Sequence, residues 1–266
     1  MEKFITCSGI PVRVVTYGNR SDSGSAALLL HGYMESVEVW ENFAEQLGRH
    51  VYTVALDLPG HGLSGTHSEV NSMELMADVT GEACANLSVG RVVAIGHSMG
   101  GYVALALAKS RPALVSSLCL MHATPNADDE EAKRQRDREI ALIGAGKREM
   151  LVSQSIPLMF APDNVSHLYE PIAGIEACAL IADDAGAIAS LRGLKKREDM
   201  SDFLKTFAKP LLFVFGKKDR RIPWETACAV AERFPQAQTL MLENSGHAGF
   251  IEEEEATLNA VKAFIS

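Results

Sequence analysis

No stretch of the 266-residue sequence stays apolar for the roughly 18 residues that a membrane-crossing helix needs, so no spanning segment is expected. The N-terminus, MEKFITCSGIPVRVV, has neither a long apolar run nor a small-residue cleavage site, and is not read as a secretory signal. Positive charge is in short supply: 25 Lys and Arg stand against 34 Asp and Glu, a net charge of −9. Such a field repels a phosphate backbone, which argues against a nucleic-acid partner. Cysteine is scarce too. The five (Cys7, Cys84, Cys119, Cys178, Cys228) are odd in number, scattered and mostly set in apolar runs. They suit buried small hydrophobes in a reducing compartment, not a disulfide frame or a zinc site. Together these absences make a cytoplasmic location the expectation.

What is present is ordinary globular material, 47% hydrophobic and 22% charged, with no internal repeat or low-complexity tract. Short apolar runs recur: AALLL (26–30), VYTVAL (51–56), RVVAIG (91–96), SSLCLM (116–121), LLFVF (211–215) and QTLMLE (238–243). Amphipathic stretches lie between them, among them Val37 to Leu47, Met73 to Leu87 and Pro223 to Phe234. Strand and helix in alternation give βαβ units, hence an α/β fold with a mostly parallel central sheet covered on both faces. Ahead of these, Phe4 to Cys7 and Val12 to Tyr17 flank SGIP and read as an antiparallel hairpin at the edge. The alternation stops between about Thr124 and Phe203, where the pattern is helical throughout. This predicts a core of residues 1–123 and 204–266 with an inserted helical cap, 124–203, over one end of the sheet. Ligands of open parallel sheets bind at the carboxyl ends of the strands, where such a cap would wall off a site.

The chemistry centres on VVAIGHSMGGYVALALAKS (92–110). Ser98 stands where a buried strand changes to a small-residue helix, with Gly96 two residues before it and Gly100 two after. This is the G-x-S-x-G nucleophile elbow in the strand–turn–helix setting the motif requires. A serine hydroxyl needs a base, and the base an orienting acid. LLFVFGKKDRRIP places Asp219 just past a strand end, and QTLMLENSGHAGF places His247 in a glycine-flanked loop. Asp219 is preferred to Asp57 or Asp128 because it alone follows a strand and glycine turn upstream of the histidine, and exchange of Asp128 is expected to be close to neutral. For the oxyanion hole, LLLHGYMES puts the Tyr33 backbone N–H after the first parallel strand, and the Met99 N–H follows the nucleophile at a helix N-terminus.

The chain resembles the α/β-hydrolase superfamily over nearly its whole length, through HGY after the first parallel strand, DLPGHGLS (57–64), GHSMGG (96–101), GKKDRRIP (216–223) and SGHAGF (245–250). The resemblance implies a Ser98–Asp219–His247 triad, a Tyr33 and Met99 oxyanion hole, and no cofactor. It is similar to small capped carboxylesterases and their lactonase and haloperoxidase-like relatives. Dehalogenases and epoxide hydrolases of this fold use an aspartate nucleophile, and position 98 is serine. Meta-cleavage C–C hydrolases usually carry an HGxGPG loop, which HGYMES lacks, whereas a hydroxynitrile lyase reading survives.

The expected reaction is acyl-enzyme hydrolysis of a small-molecule carboxylic ester. An enol-lactonase, thioesterase or C–C hydrolase on the same triad, and a small-molecule receptor of the same fold, stand as alternatives. Candidate substrate-pocket residues are Tyr33, Met34, Leu158, Met159, Phe160 and Phe250, with Met99 beside the nucleophile. Asp57 is read as a turn anchor and Trp40 and Trp224 as packing. His31, His97 and His122 are read mainly as scaffold, with His122 a lesser candidate for the pocket. The acidic run 252–255 suits a helix N-terminus and calls for no metal. The basic run Lys133 to Arg138 reads as a solvated helix face with a faint hint of anionic substrates.

Overall fold

The computed structural model describes residues 1–20 and 25–266. Strands β1 (Glu2–Cys7) and β2 (Ile10–Tyr17) form the N-terminal hairpin, closed by Ser8 and Gly9 at φ 49° and 77°. Positive φ at both turn residues matches the right-handed twist of the flanking strands. Six further strands follow: β3 (Ser25–Leu30), β4 (Thr53–Leu56), β5 (Arg91–His97), β6 (Val115–Met121), β7 (Leu211–Gly216) and β8 (Gln238–Leu242). They lie in one sheet of order β1-β2-β4-β3-β5-β6-β7-β8. The two pairings made by β2 are antiparallel and every other pairing is parallel.

Because side chains alternate across a strand, β3 feeds two cores. Ala26, Leu28 and Leu30 face one side, with α2 (Met73–Asn86), α3 (Met99–Ser110) and α9 (Trp224–Arg233). Ala27 and Leu29 face the other, with α1 (Glu41–Gly48) and the C-terminal helix α11 (Glu254–Ile265). The amphipathic run from Val37 is split into a 3₁₀ turn, Val37–Trp40, and then α1, and the acidic run likewise spans a break. The short helix α10 (Gly249–Glu252) ends at Glu253, whose φ −129° and ψ 57° interrupt the helix before α11.

Between β6 and β7 there is no strand. The chain runs through α4 (Glu130–Gly144), α5 (Arg148–Ser155), a 3₁₀ turn at Pro157–Met159, α6 (Tyr169–Ala179), α7 (Asp184–Lys196) and α8 (Ser201–Lys205). Aspartates start two of these helices: Asp129 accepts from the Ala132 N–H and Asp183 from the Gly186 N–H. Arg148 joins three elements by donating to the carbonyls of Ala179 and Ala182 and to Asp184. The segment is seated on the loop after β4: the Asn71 N–H donates to the Ala189 carbonyl at 2.9 Å. Glycine meets glycine there, since a Cβ on Gly186 would come within 2.8 Å of Gly60 Cα.

Candidate active site

Ser98 holds φ 48° and ψ −114°, outside the regions non-glycine residues favour. Strain of this kind costs about 1–3 kcal/mol and persists only where the surroundings over-determine it. They do so here. A Cβ on Gly96 would lie 2.3 Å from the Gly100 carbonyl, and one on Gly100 would lie 2.1 Å from the Leu30 carbonyl. The Ser98 N–H also donates to the Met121 carbonyl on β6 at 2.9 Å. The hydroxyl is thereby lifted off the end of β5 onto the first turn of α3.

His247 meets it from the loop after β8, with Nε2 2.9 Å from Ser98 Oγ. On the other side of the ring, Nδ1 lies 2.7 Å from Asp219 Oδ2. A carboxylate can only accept there, so Nδ1 carries the proton and Nε2 offers its lone pair to the serine O–H. Asp219 Oδ1 is occupied by the backbone N–H groups of Arg221 at 2.7 Å and Ile222 at 3.0 Å. Burial would raise the Asp219 carboxyl. The charge of the His247 ring and the hydrogen bonds from His122 and His247 outweigh it and hold that carboxyl below the ordinary range. Burial also dominates at His247, pushing its pKa down to about 4 against the opposing pull of Asp219. The imidazole is therefore neutral, and able to act as a base, at neutral pH.

His122 sits beneath the pair instead of in the cavity. Its Nδ1 is 3.2 Å from Asp219 Oδ2, and its Nε2 accepts the Gly249 N–H at 3.0 Å. The nitrogens and carboxylate of His122, Asp219 and His247 lie within 4.8 Å of one another, a spacing a metal could bridge. The donor chemistry opposes it: accepting from Gly249 leaves His122 Nδ1 protonated, and the serine already uses the free lone pair of His247.

Two further side chains do work that sequence reasoning assigned to scaffold or did not single out. His97 places Nδ1 2.9 Å from Glu35 Oε2 and Nε2 2.7 Å from the His247 carbonyl, tying the turn after β3 to the histidine loop. Glu35 Oε2 also accepts the Gly32 N–H at 2.6 Å, which shapes the turn that presents Tyr33. The backbone N–H groups of Tyr33 and Met99 have no hydrogen-bond partner among the described residues. The run 252–255 has a larger role than complementing a helix dipole. Glu252 Oε1 accepts the N–H of Gly246 at 2.8 Å, and its Oε2 accepts those of Ala161 and Asn164 Nδ2 at 2.7 and 2.8 Å. Glu253 accepts from the Asn244 N–H and the Ser245 hydroxyl at 2.9 and 2.6 Å. These two carboxylates clamp the loop that carries His247.

Ser98 and His247 open into a cavity of about 570 Å³ lined also by Tyr33, Met99, Met159, Leu194 and Arg221. Four of the expected pocket residues lie elsewhere. Phe250 points down into the lower core, its ring 4.3 Å from Trp40, because α10 turns it away from the strand ends. Met34 adopts φ 64°, which swings it toward Gly60 and His61. Phe160 is 1% exposed, packed in the core, and Leu158 faces solvent at 49% exposure. In the 3₁₀ turn that carries them, successive side chains point in different directions, and only Met159 reaches the cavity. Asp57 anchors its turn by accepting the N–H groups of Val37 and Leu63, both at 2.8 Å. Asp128 is far from neutral structurally: Arg136 Nε lies 3.3 Å from its Oδ2, and Arg197 Nη1 takes its Oδ1. Arg136 is half-buried and lines the cavity, so the basic run is not a solvated face throughout.

A profile of the alpha/beta hydrolase family matches residues 27–260. The chain is 29% identical over 253 residues to the pimeloyl-[acyl-carrier protein] methyl ester esterase of Xanthomonas campestris pv. campestris, covering 91% of this chain and 96% of that protein. A thermophilic esterase from Thermogutta terrifontis, solved with malate bound, superimposes with a TM-score of 0.91 at 28% identity, covering 100% of this chain and 98% of that one. The enol-lactonase of Burkholderia xenovorans LB400 shares the fold, with a TM-score of 0.90 at 18% identity over 99% of each chain. No helix among the described residues is long and apolar enough to cross a membrane. The chain belongs to the alpha/beta hydrolase family and is a hydrolase.

Proposed function

We propose that this hydrolase cleaves carboxylic esters of small to medium acyl or alcohol groups through an acyl-enzyme. Ser98 attacks the carbonyl carbon while His247 Nε2 takes its proton, and Asp219 holds the tautomer and stabilises the imidazolium. The oxyanion is received by the Tyr33 and Met99 N–H groups, the second aided by the N-terminus of α3. His247 returns the proton to the leaving alcohol, then activates water to release the acid and restore the serine. Residues 124–203 act as a cap, a reading supported by Asp128, Arg136, Met159 and Leu194, which line the cavity from that segment. The methyl ester named for the Xanthomonas relative supports a small leaving alcohol.

The observation that carries the reading is the unbroken chain of contacts, 2.9 Å and then 2.7 Å, from Ser98 Oγ through His247 to Asp219, with the hydroxyl open to the cavity. A fluorophosphonate should label the wild type at Ser98 and leave Ser98→Ala unlabelled, and the variant should fold yet lose ester turnover by about 10⁴–10⁶-fold. Near-wild-type turnover of p-nitrophenyl butyrate by Ser98→Ala would overturn the assignment.

A further inference from the structure

One guanidinium on the wall of the catalytic cavity lacks a counter-ion. Three arginines line that cavity, Arg136, Arg197 and Arg221, together with the carboxylates Glu35, Asp128 and Asp129. Arg136 and Arg197 share Asp128, one on each oxygen. Asp129 is spent on the start of α4, accepting the Ala132 N–H at 2.8 Å. Glu35 holds Gly32 and His97 through Oε2, and its Oε1 is buried without a hydrogen-bond partner among the described residues, so it does not reach Arg221. Arg221 is exposed, and its backbone N–H holds Asp219 Oδ1 at 2.7 Å. Its guanidinium has no ion pair and no hydrogen bond among the described residues.

The charges acting on that guanidinium are Arg136, which repels it, and Glu139, Asp219 and Glu35, which attract it. Each of these carboxylates is already engaged. Glu139 lies 3.8 Å from Arg136 and accepts from Gln135 Nε2 at 3.1 Å, and Asp219 holds two histidines and two backbone N–H groups. The Tyr33 hydroxyl, which burial and the charge of Glu139 keep protonated against the opposing charges of Arg136, Arg148 and Arg221, is shut off from water without a hydrogen-bond partner among the described residues. Two neighbouring guanidinium groups, one of them unpaired, thus face the same space as the nucleophile. A planar guanidinium is suited to carboxylate and phosphate oxygens, which it can take two at a time through charge-assisted bonds.

We propose that Arg221, backed by Arg136, is an anion subsite, so that the preferred substrates are esters carrying a second group that is negatively charged, a carboxylate or a phosphate. This rests on the ester-hydrolase reading and narrows it. Arg221 is then a specificity-determining residue. Its side chain can be exchanged without removing the backbone N–H that supports Asp219.

The test compares p-nitrophenyl acyl esters of equal length ending in a carboxylate, a phosphonate or a primary amide. In the wild type, kcat/KM for at least one anionic ester should exceed that for the amide by tenfold or more, and the arm with the larger ratio identifies the group. Arg221→Gln should bring that ratio to about one, mainly through KM, and Arg221→Lys should keep part of it. A wild-type ratio of one or less in both arms, or a ratio that survives Arg221→Gln, overturns the proposal. Calorimetry with glutarate and its neutral diamide, on wild type and Arg221→Gln, separates the two readings. Arg221-dependent preference for glutarate without ester turnover upholds the subsite and sinks the hydrolysis reading. Equal binding of the two ligands, or none, in a protein that turns over no ester sinks both.

Discussion

Ser98 and His247 sit 2.9 Å apart, yet the chain holds them by opposite means. The serine is fixed by backbone fit. Gly96 and Gly100 let the β5–α3 turn approach its own carbonyls and that of Leu30 so closely that a methyl group has no room. The histidine is fixed from outside, by groups far away in sequence or past the next turn. Glu252 and Glu253 bind the N–H and hydroxyl groups of residues 244–246, His97 grips the His247 carbonyl, and the Met159 carbonyl accepts the His247 N–H at 2.5 Å. A site half built on rigid backbone and half on a clamped loop keeps the Ser98 hydroxyl stationary and leaves positioning of the His247 ring to replaceable hydrogen bonds. The contrast also couples the base to the helical segment, because Glu252 holds Ala161 and Gly246 at once.

The largest expected effect tests the point where the two halves converge. Asp219→Asn keeps the shape but can donate where it must accept, so it favours the wrong imidazole tautomer, and kcat should fall about 10⁴-fold with little change in fold. Asp128→Asn, by contrast, should lower the unfolding midpoint by loosening Arg136 and Arg197 while leaving kcat for neutral esters within a few-fold. Stopped-flow turnover and thermal unfolding on the same samples check both, and a reversed pattern would move the acid to Asp128.

Next in size is the backbone side of the comparison. Gly100→Ala places a Cβ 2.1 Å from the Leu30 carbonyl, which main chain cannot yield cheaply. A cost of about 3 kcal/mol in folding is expected, the upper end for overpacking, together with loss of most activity. Urea titration reads the first and fluorophosphonate labelling rate the second. A variant with wild-type stability would break the claim that fit alone sets the elbow.

The clamp side should respond more gently. Glu252→Gln keeps the size but weakens charge-assisted bonds to four N–H groups, those of Ala161, Asn164 Nδ2, Gly246 and Ala248, each worth about 1.5–3 kcal/mol as a charged partner and about half that when neutral. A fall in kcat of about tenfold is expected, with fluorophosphonate labelling slowed by a similar factor. Hydrogen exchange should rise over residues 244–248 and around Ala161, while the 96–101 elbow stays protected. Equal loosening of both regions would erase the distinction.

The smallest effect is the position of the pH profile. As the proposed base, His247 works only when neutral, and burial brings its pKa down to about 4, so kcat/KM should be level from about pH 6 to 8 and fall below pH 5. The sign for stability is the same: the unfolded chain takes up a proton near pH 6.5 that the folded one refuses until about pH 4, so stability declines as pH falls through that window. A midpoint near 6.5 in the kcat/KM profile would show that burial is not governing the ring.

The difference between the halves also explains what could be read from residues alone. The elbow is local: glycines at ±2 around a serine, at a change from strand to helix period, carry their geometry in five consecutive residues. Asp219 and His247 are legible because strand ends are legible. The eight strands follow from the spacing of apolar runs, as does the mostly parallel character of the sheet, whereas the order of the strands within it comes from the fold. The clamp is not local. Glu252 looks like one of four acidic residues at a helix start, and only the fold brings Gly246 and Ala161 to its two oxygens. Glu35 and Arg221 are equally mute, being ordinary charged residues whose meaning comes from which partners they have or lack. The pocket residues Met34, Phe160 and Phe250 misled because neighbours of a site residue in sequence turn away from it at a positive-φ turn, in a 3₁₀ turn and on a short helix.

The central claim is that Ser98 and His247, held so differently, act as one catalytic unit. Turnover of p-nitrophenyl butyrate by Ser98→Ala, His247→Ala and the double variant tests this most directly, with circular dichroism confirming that all three fold. The expected result is non-additive: each single exchange costs about 10⁴–10⁶-fold, and the double costs no more than the worse single. Losses that multiply, or a His247→Ala enzyme retaining more than a tenth of wild-type kcat, would contradict it.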